Sequence, residues 1–447
     1  MTESKGKSDF SVGLNIGSSQ SRIVVGMAHI DSNEMLSGFS AHGGYAFGEE
    51  EGPEQARHSS RSFHIVAAAE ASHNGIRRGS MVDLESIAQS IREVVDEVER
   101  QSGLELDQVR VSLSSTSAVS ENFTESLALK GSDVRESDRD RLLQMAKAHG
   151  VQPGLEQIST LTGHFIVDGR PGITNPVGMF GNSLGGLFHR IAVPEGDLQN
   201  IIRAVNKAGL HVESVGFESL AAAEAVLDSD EREMGSVCIN FGAHLTHVVV
   251  YSSGTPIFSK DFPFGSHHIT KDIAIGLRIT QTEAERIKRD FAQAYFNPQD
   301  AHETFSVQTA EHLGGSRQFT RGQLMHIVEP RVREILSFIH TELRKLKVTQ
   351  FISKGVVLTG GGSLLPGLCW VAEEVFGVSA RVGYPLNLTG VTEGLRSPMC
   401  TSTIGLLSPL FQSEEEPSNG SWKNVRGGLM GWARSLIDKI REPNEIS

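Results

Sequence analysis

The chain has 447 residues, with 54 acidic and 41 basic side chains and a formal net charge of −13 at pH 7. That length exceeds what one compact core holds and predicts two or more lobes. An acidic balance without a Lys/Arg-dense stretch excludes nucleic acid as the main ligand, because phosphates need a basic surface. The three cysteines, Cys238, Cys369 and Cys400, are too scattered for a disulfide framework or a paired zinc site, and they point to a reducing compartment. No apolar run reaches the roughly 20 residues that cross a bilayer, and no signal-peptide core follows Met1. A soluble, cytoplasmic protein is expected, with one exception at its far end.

Residues Phe10 to His29 alternate apolar and small polar side chains around Gly17-Ser18-Ser19, predicting two antiparallel strands and a tight turn. Ser37 to Ser62 reads as a long surface loop whose histidines, His42 and His58 among them, follow no metal-ligand spacing. A strand resumes at His64 to Ala71, and Ile87, Ile91, Val94, Val95 and Val98 fall at helical spacing between Leu84 and Arg100. A strand over 109–114 and a helix over 137–149 follow, so residues 84–165 are expected to form a small α+β unit inserted between strands, with Gly172 to Gly178 as its exit. The chain then returns to strand at 187–193 and helix at 198–208.

The second half repeats the opening. A strand over 236–241, a turn at Gly242 and a strand over 248–251 lie about 225 residues after the first pair, which suggests a duplicated architecture. Helices are expected over 270–277, 281–294 and 321–347. An apolar strand, 355–359, runs into Gly360-Gly361-Gly362-Ser363, which is expected to open a helix. Glycine lets the backbone approach a phosphate, and amide donors at a helix start favour an anion, so both glycine turns are candidate nucleotide contacts. Read alone, the first is also an ordinary hairpin turn, and Glu285 with Lys288 is also a surface ion pair at helical spacing.

Taken in order, these segments resemble the FtsA family of bacterial cell-division proteins, within the actin and Hsp70-like ATPase superfamily. The resemblance rests on Gly13 to Ser19, Gly79 to Leu84, Gly172 to Gly178, Ala221 to Leu227, Ala284 to Lys288, Thr359 to Gly362 and Ile404 to Leu407. It implies an α/β, actin-like two-lobed ATPase fold built from two RNase H-like domains, with a small α+β inserted subdomain and a C-terminal amphipathic helix. Lobe one is expected over 1–83, 166–210 and 395–411, the insert over 84–165, and lobe two over 211–394, before a linker over 412–424 and a helix over 425–442. Carried over by position, Gly17, Ser18 and Ser19 would meet the terminal phosphates of ATP or ADP. Asn15, Gly242 and Thr246 belong to the same two hairpins. Glu285 and Lys288 would lie by the ribose, and Gly360, Gly361, Gly362 and Ser363 would border the adenosine.

This chain departs from the family's pattern at the phosphates. Asn15 stands where an acidic residue is usual and Gln20 where a basic one is. The second hairpin, usually Asp-Ile-Gly-Gly-Gly-Thr-Thr-Asp, reads Asn240-Phe241-Gly242-Ala243-His244-Leu245-Thr246-His247. Losing the carboxylates weakens the hold on hydrated magnesium, so efficient hydrolysis is not expected. His244 and His247 either donate to the phosphates in place of the metal or merely fill the weakened site.

At the far end, Val425, Leu429, Met430, Trp432, Ala433, Leu436, Ile437 and Ile440 cover one arc of roughly 160° on a helical wheel, with Arg426 alone intruding. Residues 423–442 carry five basic and two acidic side chains, a net of +3 inside a chain of −13, and follow an acidic, Pro/Ser/Gly-bearing linker. This pattern suits an anionic membrane surface, with Leu429, Met430, Trp432, Leu436, Ile437 and Ile440 inserted. Gly427, Gly428 and Gly431 each cost about 1 kcal/mol of helix in water, so the helix is expected to form on binding. With the resemblance to the FtsA family, the leading expectation is a peripheral scaffold on the inner face of the cell membrane at the division septum. It would self-associate into filaments and tether FtsZ and other division proteins. A PilM-like pilus-assembly platform and an actin-superfamily ATPase enzyme remain the alternatives.

Overall fold

A computed structural model describes residues 10–29, 61–77, 79–295, 299, 301–308 and 316–412. The expected surface loop falls almost wholly outside these residues, and the membrane-helix positions Leu429 to Ile440 fall outside them altogether.

Lobe one is built on β1 (Ser11–Ile16), β2 (Gln20–His29), β3 (Ser62–Ser72), α1 (Leu84–Ser102) and β4 (Gln108–Leu113). β1 pairs antiparallel with β2 and parallel with β4, which places β1 at the centre and explains why Val12 to Ile16 are buried without alternation. α1 starts where the Asp83 carboxylate accepts from the Glu85 and Ser86 amides and stops at Gly103, whose φ is 69°. Its Ile87, Ile91, Val94, Val95 and Val98 face the sheet, as the spacing predicts.

The insert follows as β5 (Val119–Asp133), α2 (Glu136–Lys147), β6 (Leu155–Val167), β7 (Arg170–Ile173) and β8 (Phe180–Pro194), with the sheet order β5-β8-β6-β7. It has its own small core, where Leu142 and Ala146 of α2 meet Leu127, Leu129, Leu184 and Phe188. The expected boundaries shift here. α1 and β4 are not insert but lobe one, because β4 is paired on both edges within the main sheet. The strand expected to return at 187 is instead the centre of the insert's sheet, and Gly172 to Gly178 is an internal edge strand and turn rather than the exit.

α3 (Glu195–Lys207) and β9 (His211–Phe217) return to lobe one, where β9 pairs parallel with β4. Residues 211–217 therefore leave the expected lobe-two range. α4 (Glu218–Val226) crosses to lobe two, which contains β10 (Ser236–Phe241), β11 (Thr246–Ser252), β12 (Thr255–Phe262), α5 (Ser266–Leu277), α6 (Gln281–Phe291), α7 (Arg321–Lys345), β13 (Gly355–Thr359), α8 (Leu368–Phe376) and β14 (Ala380–Val382). β15 (Leu388–Gly390) goes back to the edge of β3, again in lobe one, and α9 (Thr401–Gly405) packs on α4.

The two sheets share one order. Lobe one reads β3-β2-β1-β4-β9 and lobe two reads β12-β11-β10-β13-β14, each with the same pattern of antiparallel and parallel pairs. The expected duplication is thus a repeat of topology. α4 and α9 cross between the lobes so closely that a Cβ on Gly405 would stand 1.7 Å from the Ala221 carbonyl oxygen.

The insert also reaches lobe two. Ser120 Oγ donates to the Ser259 carbonyl at 2.7 Å and accepts the Ser259 amide at 3.1 Å, while Asn122 Nδ2 donates to the Ile257 carbonyl at 2.7 Å. His189 Nε2 lies 3.1 Å from Ser259 Oγ, and burial pushes this imidazole down to about 3, so it is neutral. These bonds cover polar groups of the edge strand β12.

Candidate functional site

The repeated topology sets two hairpin turns at matching strand ends. In the first, the Gly17 amide donates to the Gln20 carbonyl at 2.9 Å, and Gly17 and Ser18 are half-buried while Ser19 is exposed. In the second, the Gly242 amide donates to the Leu245 carbonyl at 3.0 Å. Small residues at the first tip leave backbone and hydroxyl donors open to an arriving anion.

Behind each turn a buried asparagine occupies the last-but-one position of the strand. Asn15 Nδ2 donates to Ser112 Oγ at 2.8 Å, and Asn240 Nδ2 donates to Ser402 Oγ at 2.9 Å. Each thus anchors its hairpin to a neighbouring element and offers no charge to a cation.

His247 is fully enclosed. Its Nδ1 lies 2.9 Å from Asp261 Oδ1 and its Nε2 3.5 Å from Glu218 Oε2. Burial works against the charged ring, but Glu218 and Asp261 outweigh it and push His247 up to about 9. The other Asp261 oxygen accepts the Ser115 amide at 2.8 Å, and Ser115 Oγ donates to Asp197 at 2.6 Å. With both ring nitrogens held by carboxylates, His247 is a structural cation, and the expectation that it could donate to a phosphate is corrected. Thr246 is likewise engaged, its hydroxyl donating to the Phe264 carbonyl at 2.7 Å.

His244 differs. It sits at the turn with its ring 4.8 Å, centroid to centroid, from that of His267 at the start of α5, and its Nδ1 is buried without a partner. α5 is drawn onto the hairpin, because the Ser266 and His267 amides donate to the Gly242 and Ala243 carbonyls at 2.9 and 2.8 Å. This approach requires glycine at position 265, where a Cβ would lie 2.6 Å from each of those carbonyl oxygens.

Glu285 and Lys288 form a part-buried knot with α5 rather than a surface pair. Lys288 Nζ lies 2.7 Å from Glu285 Oε2 and donates to Thr270 Oγ1 at 3.0 Å, while Thr270 Oγ1 donates to the same carboxylate oxygen at 2.6 Å. Burial would raise the Glu285 carboxyl, yet bonds from Lys288 and Thr270 hold it below its ordinary value. Burial also lowers Lys288, with Glu285 opposing.

The glycine run packs on the second hairpin. Gly360 has φ 80°, and a Cβ there would stand 2.2 Å from Asn240 Oδ1; one on Gly362 would stand 2.6 Å from the Phe241 ring. Ser363 turns inward, its Oγ donating to the Gly360 carbonyl at 2.7 Å. Gly361 is exposed beside Met399. The run forms a short 3-10 turn over Gly361–Leu364, and the α-helix begins only at Leu368, after Pro366 and Gly367. The expected helix start at the glycines is therefore corrected, because Pro366 lacks the amide that would carry a continuous ladder.

Sequence reading missed Glu218, Asp261, Ser402, His73 and His267. Nothing local marks them, since each reaches the hairpins from a distant element. His73, just past the end of β3, donates its amide to the Ser19 carbonyl at 2.9 Å, and its Nδ1 accepts from the Gly75 amide at 3.2 Å. Burial holds its imidazole below the ordinary value, with the Gly17 backbone opposing.

A nucleoside phosphate suits this donor set, with backbone amides and hydroxyls at one turn and imidazoles at the other. The carboxylate set that would hold a hydrated magnesium ion does not fit. Both strand-end positions are asparagine, and Glu218 and Asp261 are committed to His247.

Comparisons with known proteins agree with this architecture. Family models described as "Cell division protein FtsA" and "SHS2 domain inserted in FTSA" match residues 237–405 and 116–192. The second span fits the insert as the sheets define it. The FtsA of Borreliella burgdorferi is 32% identical over 86% of this chain and 90% of its own, and that of Pseudomonas aeruginosa is 30% identical over 82% and 87%. Among solved structures, a PilM-PilN type IV pilus biogenesis complex aligns with TM-score 0.57 at 15% identity, covering 89% of this chain and 97% of that one. MreB5 of Spiroplasma citri bound to ADP aligns with TM-score 0.51 at 12% identity, covering 89% and 95%. The fold is that of the actin-like ATPases, and with relatives of this identity and coverage the chain belongs to the FtsA family of cell-division proteins.

Proposed function

We propose that the protein is a division scaffold that binds ATP or ADP between its two hairpins, hydrolyses it weakly and self-associates into filaments. It holds FtsZ filaments to the inner face of the cell membrane at the septum, and it sits there as a peripheral protein together with other division proteins. The observation that carries this reading is the combination, in one chain of this family, of the two-hairpin fold with a basic amphipathic sequence beyond an acidic linker. Among the described residues no helix is long and apolar enough to cross a membrane. The terminal helix itself lies outside those residues, so the anchor rests on the sequence pattern.

In this reading Gly17, Ser18, Ser19 and Gly242 face the phosphates, Glu285 and Lys288 the ribose, and Gly360 to Ser363 the adenosine. Repetition along a filament makes individually weak membrane helices collectively strong through effective concentration. Sedimentation with anionic liposomes tests the anchor, using the full chain, a truncation lacking residues 422–447, and Trp432→Glu and Leu436→Glu, each with and without FtsZ filaments. The full chain should pellet with the liposomes and carry FtsZ down, and the three variants should stay in solution. Equal pelleting of all four would remove the terminal helix as anchor and return weight to the pilus-platform reading.

A further inference from the structure

Among the described residues, His244 Nδ1 at the second hairpin is an imidazole nitrogen buried with no hydrogen-bond partner, whereas His73 at the first hairpin is held by the Gly75 amide and the Gly17 backbone. Buried polar atoms normally find partners, so such an atom at a turn marks a place where a ligand completes the set. The two histidines are not equivalent. His73 has its Nδ1 engaged by the Gly75 amide at 3.2 Å, so its ring has no free site for a second proton. His244 keeps its Nδ1 open to a proton, with the His267 ring tilted against it.

We infer that the His244–His267 pair is a proton-linked phosphate-binding site, in which entry of the nucleotide's terminal phosphates draws a proton onto the imidazoles and the resulting cation supplies charge that a hydrated divalent ion would otherwise bring. The inference rests on the nucleotide reading above. The groups facing the pair decide its ligand. His268 and Lys271 face it from α5, and Lys288 from α6. Glu285, the carboxylate that acts on the pair among the described residues, is already held by Lys288, Thr270 and Arg289. On the hairpin's other side His247 is sealed between Glu218 and Asp261. This surplus of cationic groups suits an anion and repels a metal ion.

The sign of the linkage follows. Burial and the neighbouring histidines hold His244 below its ordinary value, and burial with Lys288 does the same for His267, so both are neutral near pH 7 in the free protein. A bound phosphate favours the charged form and raises that value. Binding therefore takes up protons near neutrality and weakens as pH rises.

The test is titration calorimetry of the full chain with ATP and with ADP, in excess chelator, at pH 7 in two buffers of different ionisation enthalpy. About one proton should be taken up per nucleotide, and affinity should fall by up to about tenfold per pH unit above neutrality. His244→Gln and, independently, His267→Gln should abolish the uptake and flatten the pH profile while leaving the thermal melt of the protein cooperative. Nucleotide binding with no proton uptake, or binding only when magnesium or another divalent ion is restored, overturns the histidine assignment and leaves the nucleotide reading standing. Failure of either nucleotide to bind at any pH, with or without metal, overturns both.

Discussion

The same three positions of the repeated sheet carry the same kind of residue in each lobe and meet different fates. In lobe one Asn15 stands opposite Arg22, and Arg22 opposite Glu70; in lobe two Asn240 stands opposite His247, and His247 opposite Asp261. Each row is an asparagine, a cation and a carboxylate across three strands. The Arg22–Glu70 pair, at 2.9 Å, ends in a carboxylate whose side chain is 54% exposed, whereas the Asp261 side chain has no exposure at all. What differs is the covering. Glu218 at the start of α4 and Ser115 at the root of the insert close over the lobe-two row. A shared fold therefore fixes where charges face each other, and the elements packed outside decide whether those charges sit in water or in protein.

Removing the cation from each row gives the largest contrast. His247→Leu should cost about 3–5 kcal/mol, because two buried carboxylates lose their partner, while Arg22→Ala should cost about 1 kcal/mol or less for its partly solvated pair. Urea denaturation of both variants measures this, and equal costs would break the comparison.

The pH dependence should follow the same division. His247 is raised to about 9 in the folded protein, so its contribution is complete below the ordinary histidine value of about 6.5 and fades as pH rises through about 9. Thermal melts between pH 6 and 9.5 should show a progressive loss that His247→Gln lacks and Arg22→Ala retains. A flat profile for the unmodified chain would show that the row is not charged.

A smaller contrast lies in the glycines of the turns. Gly265→Ala drives a methyl to within 2.6 Å of two carbonyl oxygens and should cost about 2 kcal/mol, whereas Gly17→Ala comes no nearer than 3.2 Å to the Gln20 carbonyl and 3.6 Å to Asn15 Oδ1 and should cost about half that. Unfolding midpoints order the two, and the reverse order would mean that α5 is not held on the second hairpin. The smallest effect concerns affinity. Lys288→Ala should weaken ATP binding about tenfold, while Ser18→Ala, which removes one hydroxyl and keeps the backbone donors, should weaken it only a few-fold. Equal losses in a fluorescence titration would place the two lobes' contributions on a par.

Much of the framework is legible in the chain itself. The strands 236–241 and 355–359 centre on the apolar runs Val237 to Ile239 and Val356 to Leu358, α1 carries its cap and its apolar spacing, and the glycines stand where turns need them. Sequence assigns α1 and β4 to the wrong unit because periodicity reports the type of an element and not its partner strand. The Glu285–Lys288 spacing is visible, but its knot with Thr270 is not. Glu218, Asp261 and His73 carry no local signal, since their roles arise only where β3, α4 and β12 converge on the hairpin ends.

The sequence by itself determined the duplicated strand-turn-strand units and the amphipathic pattern at 425–442, because these follow from residue type and local spacing, while the family resemblance showed that carboxylates usual at both turns are replaced here. Only the tertiary structure decided that His247 is a sealed cation while His244 keeps a ring nitrogen without a partner, although the two stand three residues apart on one hairpin. The physical reason is that an imidazole's charge depends on which carboxylates and how much water surround it, and distant segments of the chain supply both.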